Sequence, residues 1–127
     1  LIIVSIVSLV SSSIRNATFS KNKSIASTYA QQASEWLRGE RDANIAAFET
    51  NAISPVWCLK NLSWELTGSC LDTDQVFGTP FIREVHFTIN ADTGKTLIQA
   101  DVVVSWQDSL GVHQVVNSTN FADWRER

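Results

Sequence analysis

The chain has 127 residues, the size of one small domain, and its 44% hydrophobic and 18% charged content excludes a disordered tail or a coiled-coil rod throughout. Ten Lys and Arg against thirteen Asp and Glu give a net charge of −3, which argues against nucleic-acid binding, where clustered basic residues are needed. The charge is unevenly spread: residues 1–14 carry none, 15–50 carry five basic and four acidic, and 51–127 carry five basic and nine acidic.

Residues 1–14 read LIIVSIVSLVSSSI, nine apolar residues and five serines. As a helix they rise about 21 Å, short of the roughly 30 Å hydrocarbon core of a bilayer. They lack the basic start and small-residue cleavage site of a secretory signal. The expectation is that Leu1 lies inside a longer apolar helix, completed by about ten residues upstream. Arg15, Lys21 and Lys23 follow at once. Basic residues on that flank favour the cytoplasmic side unless a more basic leader lies ahead.

From Leu1 to about Phe48 there is no proline, and the segment reads as one continuous helix. Phe19, Ala26, Tyr29, Ala33, Trp36, Leu37 and Ala47 or Phe48 recur at three- and four-residue steps, an apolar stripe for residues 15–48. Gly39 interrupts it at a cost of about 1 kcal/mol relative to alanine, and close approach of another element is its simplest role. Such a helix would be about 70 Å long, more than one small domain can bury, so its protruding half must be covered by membrane or partner subunits.

Residues 49–80 have the composition of a long irregular connection, with Asn51, Pro55, Asn61, Gly68, Asp72, Asp74, Gly78 and Pro80. Trp57 and Trp64 should pack it onto the domain. Cys58 and Cys70 lack the spacing or histidine partners of a redox or zinc motif, leaving one disulfide or two ordinary thiols. An oxidising compartment, in keeping with the apolar segment ahead, would favour the disulfide. Residues 81–127 are strand-like. Val85, Phe87 and Ile89 alternate with Glu84, His86 and Thr88. Ile98, Ala100, Val102, Val104 and Trp106 alternate with Gln99, Asp101, Val103, Ser105 and Gln107. Turns at 90–95 and at Asp108–Gly111 and a third strand at 112–119 make an antiparallel meander, before a tail ending in Trp124 and two arginines. The fold class expected is α+β, a long N-terminal helix on a small antiparallel meander of three to four strands.

Catalytic constellations are thin. His86 and His113, with Asp101 and Asp108 between them, admit a His–carboxylate dyad, but solvent-facing strand histidines are the simpler reading. No G-x-S-x-G, H-E-x-x-H or glycine-rich phosphate loop occurs. Asp72, Asp74 and Asp92 carry calcium-type oxygens without an EF-hand pattern, and Asx turns explain them as well. The tryptophans at 36, 57, 64, 106 and 124 suit a core better than a ligand face. No catalytic residue, metal or cofactor is expected.

Two stretches carry a resemblance. AQQASEWLRGERDANIAAF (30–48) has an alanine-rich approach to E-x-x-R-x-x-R-D and then an aromatic, and VVVSWQDSLGVHQVVNSTNFADW (102–124) has V-x-W, a D-S-x-G turn, a polar-tipped strand and a final aromatic. With the apolar start they resemble the type IV pilins and pseudopilins, over about two-thirds of the chain. The basic leader ending in glycine, the phenylalanine-type first residue and the glutamate at the fifth mature position that mark that family are not in this sequence. The family's cysteine pair often closes a C-terminal loop, whereas Cys58 and Cys70 precede the expected sheet.

The resemblance implies a type IV pilin-like fold and a structural subunit without catalytic residues. Leu1, Ile2, Ile3, Val4, Ile6, Val7, Leu9, Val10 and Ile14 would anchor it in the inner membrane before assembly. They would then exchange lipid for neighbouring helices in a filament core, where serines permit close contact. Tyr29, Ala33, Trp36, Leu37 and Gly39 would pack against Val102, Val104 and Trp106. The partners implied are copies of itself or other pilins in a helical filament on the cell surface, built by a head-to-tail, non-closing contact. The alternatives are a membrane-anchored extracytoplasmic sensor or binding domain and, with least support, a secreted enzyme or ligand-binding domain.

Overall fold

The computed structural model describes the backbone of residues 2–92 and 95–122, and the side chains of 17–90 and 96–122. Thr93 and Gly94 of the turn expected at 90–95, Asp92 as an oxygen donor, Leu1, the apolar side chains at 2–14 and the tail with Trp124 lie outside the residues so described. The chain is α+β: two consecutive helices and a five-stranded antiparallel sheet.

Helix α1 spans Ile2–Ala43 and helix α2 Ile45–Ala52, so the single helix expected to Phe48 is two. Asn44 divides them, its backbone extended at φ −157°, ψ 95° and its carboxamide oxygen accepting from the Ala47 N–H at 3.1 Å. Asparagine is among the best N-caps because its short side chain satisfies a first-turn N–H that has no intrahelical partner. The break redirects the chain so that Phe48 and Ala52 turn inward.

The strands are β1 Val56–Cys58, β2 Leu66–Thr67, β3 Ile82–Asp92, β4 Lys95–Asp108 and β5 Gly111–Ala122, in spatial order β2-β1-β3-β4-β5. The last three form the expected meander, and β1 and β2 come from the segment expected to be irregular. The three to four strands expected thus become five among the described residues. The register sets Val85 beside Val102, Val102 beside Asn117 and Trp106 beside His113, placing the even residues of β4 and the odd residues of β3 and β5 on one face. Gly111, at φ +122°, closes the two-residue Asp108–Gly111 hairpin in a conformation that glycine adopts without a Cβ clash.

Helix α1 covers that inner face. Ala26, Ala30, Ala33 and Leu37 recur at three- and four-residue steps and are fully buried, and alanines let the helix backbone sit close to the sheet. Val85, Val102 and Val104 are fully buried beneath, with Trp106 and Phe121 at opposite ends. The helix follows β5 in the same direction: Phe19 meets His113, the Ser34 hydroxyl donates to Asn117 Oδ1 at 3.2 Å, and the Arg41 guanidinium lies 5.2 Å from the Phe121 ring centre.

Candidate functional site

The surface that the sequence singles out is the helix with its seam on the sheet. Phe19 is the first described side chain to pack on the core. From Ile2 to Phe19 the helix backbone rises about 25 Å. Among the described residues no helix is long and apolar enough to cross a membrane.

Of the expected packing residues, Ala33, Leu37, Val102, Val104 and Trp106 are buried in the seam, and Tyr29 and Trp36 are partly buried against it. Tyr29 packs on Phe81, whereas Trp36 packs on Trp64 from the connecting segment. Gly39 does not belong to this set: it is exposed, and a Cβ built there meets nothing within 4 Å, so no element approaches it. Trp36, Trp57, Trp64 and Trp106 serve the core, and Trp64 bridges Trp36, Trp57 and Phe87. Its indole N–H donates to Glu40 Oε1 at 3.0 Å, while that of Trp57 donates to the Asn51 carbonyl at 2.9 Å.

Arg83, which the sequence reading passed over, is the buried charge of the seam. It shares strand parity with Val85 and Phe87, and a lone arginine at an inward position is the signal that would have found it. Its Nε donates to the Leu59 carbonyl at 3.0 Å and its Nη1 to the Tyr29 carbonyl at 3.3 Å. Burial pulls its pKa below the ordinary arginine value, partly offset by Tyr29, yet an arginine stays protonated. Trp106 Nε1, by contrast, is buried with no hydrogen-bond partner among the described residues.

The disulfide is present: Cys58 and Cys70 are joined at an S–S distance of 2.03 Å, with a sequence separation of 12. It pins Cys70 to the end of β1, and hydrogen bonds from Cys70 reach β3. The Cys70 N–H donates to Glu84 Oε2 at 2.7 Å, and Glu84 Oε1 lies 3.0 Å from His86 Nε2.

The two histidines are not brought together. His86 sits with Glu84 on the outer face, while His113 lies at the inner-face end between Phe19 and Trp106, its Nε2 2.9 Å from both Asp108 oxygens. The Leu110 N–H donates to Asp108 Oδ1 at 2.8 Å, and that bond, with the His113 contacts and the Gly111 N–H, holds the Asp108 carboxyl below its ordinary pKa against a smaller opposing desolvation. Asp101 instead accepts from Ser118 Oγ at 2.6 Å and from Gln99. Each acid closes a turn or a cross-strand bond. Asp74 likewise accepts from the Leu71 N–H at 3.0 Å, while its own N–H donates to the Leu71 carbonyl at 2.9 Å and closes a β-turn. Among the described residues no group of three or more His, Cys, Asp or Glu is placed to hold a metal ion. The exposed apolar side chains include Phe77, 93% exposed, and Leu71 in the connecting segment, and Leu110, Val112 and Val116 along the β4–β5 hairpin.

No family model matches the chain, and neither curated proteins nor solved structures give a match.

Proposed function

We propose that the protein is a structural subunit of a type IV pilus-like filament, anchored by its first helix before assembly and exported to the cell surface. The observation that carries this reading is the helix itself. It runs 42 residues, about 63 Å, against about 46 Å for the fourteen-residue β4, and residues 1–14 are an uncharged run of Ile, Leu, Val and Ser. A helix that outlasts its domain needs cover along the excess, and parallel packing of many such helices supplies it. Leu1, Ile2, Ile3, Val4, Ile6, Val7, Leu9, Val10 and Ile14 are the residues assigned to that core. The sheet and connecting segment coat the filament, with Leu71 and Phe77 offered to neighbouring subunits. The resemblance of residues 30–48 and 102–124 to pilins and pseudopilins supports the same reading.

Electron microscopy of the sheared surface fraction from producing cells, labelled with an antibody against residues 51–127, tests the proposal. Thin filaments decorated along their length identify a major subunit, and label at tips or sparse positions a minor one. Label retained wholly with the membrane overturns the surface filament and favours an anchored extracytoplasmic domain.

A further inference from the structure

The two edges of the sheet differ. One is β2, two residues long; the other is β5, twelve residues from Gly111 to Ala122. Among the described residues β5 pairs with β4 on one side only, so alternate residues present an N–H and a C=O outward, a row able to extend the sheet. Proteins commonly blunt such an edge with proline, lysine, an inward charge or a bulge. Residues 111–122 contain no proline and no Asp, Glu, Lys or Arg, and their register with β4 runs unbroken from Leu97–Ala122 to Asp108–Gly111. Helix α1 lies on the inner face of this strand and leaves the outer one open, where Val112 is 72% exposed and Val116 50%.

We infer that β5 pairs antiparallel with the β5 of a second copy of this chain, edge to edge about a twofold axis, merging two sheets into one. Charge leaves that pairing open although each copy carries −3, because β5 holds no Asp, Glu, Lys or Arg and no carboxylate opposes another along it. With Val116 opposite its own counterpart, Val112 faces Asn120 and Gln114 faces Ser118; every pair is neutral, and the exposed valines gain cover. A second copy also brings a strand of equal length, so the whole edge is satisfied at once. The inference goes beyond the filament reading and rests on β5 alone. An isologous contact closes on itself, so it joins two unassembled chains, or subunits of two adjacent filaments, and does not propagate.

Sedimentation velocity of the full chain over a concentration series tests this. The expected result is a reversible monomer–dimer equilibrium that Val116→Lys, which sets two lysines opposite each other, weakens by about tenfold or more. Circular dichroism of the variant should be unchanged, since residue 116 points outward. Under mild oxidation Val116→Cys should yield a covalent dimer and Leu66→Cys, on the short edge, should not. A chain that stays monomeric throughout overturns the inference. So does association that ignores Val116→Lys but is lost in Val7→Ser, which assigns the contact to the helices, or cross-linking through Leu66→Cys as efficient as through Val116→Cys. None of these readouts depends on whether filaments form.

Discussion

Arg83 Nη1 donates to the carbonyl oxygen of Tyr29 across 3.3 Å, joining the start of β3 to the second half of α1 through a side chain that is almost wholly buried. The same guanidinium holds the Leu59 carbonyl, so one residue ties helix, connecting segment and sheet. Removing it leaves Leu59 without that donor and opens a void. Arg83→Ala is expected to destabilise by about 2–4 kcal/mol, read as a fall in the urea midpoint, and Arg83→Met, which refills the volume, by less.

Gly39 behaves as an ordinary exposed helical glycine. Nothing lies within 4 Å of a Cβ built there. Gly39→Ala should therefore stabilise the fold by up to about 1 kcal/mol through helix propensity and the smaller entropy of the unfolded chain. A loss of stability in thermal unfolding would mean that a neighbour does press on this position.

The Cys58–Cys70 bridge closes a loop over residues that hold only the two-residue β2 as regular structure. In the chain-entropy model a loop of this size contributes about 3 kcal/mol. Cys58→Ser with Cys70→Ser should lower the unfolding free energy by roughly that amount, with the urea m-value rising as the unfolded chain expands. Hydrogen exchange should accelerate first at residues 59–81, and least at β4.

Asp108 supplies a pH dependence whose sign is fixed by the direction of its shift. Its folded-state pKa is depressed, chiefly by the Leu110 N–H and then by His113. The native state therefore binds fewer protons than the unfolded one as the group titrates, and stability rises with pH there. The contribution is complete above the unfolded value of about 3.9 and is lost as pH falls through the lower folded value. Asp108→Asn should cost stability at neutral pH, and its difference from the wild type should shrink on acidification below about pH 4, as followed by chemical denaturation.

Much of the fold was legible in period and punctuation. The alternation from Ile98 to Trp106 assigned the inner face of β4 correctly, and Asp108–Gly111 marked its hairpin. What escaped was decided by single side chains acting against their surroundings. Asn44 sits in an alanine-rich helical pattern that conceals its capping role, and only the extended backbone and the bond from Ala47 reveal the break. The segment Val56–Thr67 is too short and too rich in turn residues to read as two strands, since their pairing depends on β3, far along the chain. At the candidate site, the alanine and leucine positions of the seam were readable from their spacing. The Arg83 bonds were not, because their acceptors are backbone carbonyls distant in sequence.

The shared direction of α1 and β5 has a mechanical consequence. Phe19 against His113, Ser34 against Asn117 and Arg41 against Phe121 are spread along one axis. A tension applied to the start of the helix along that axis loads these contacts together, in shear, instead of peeling them apart one at a time. The start of the helix and the sheet are thus coupled in the geometry that best resists being pulled.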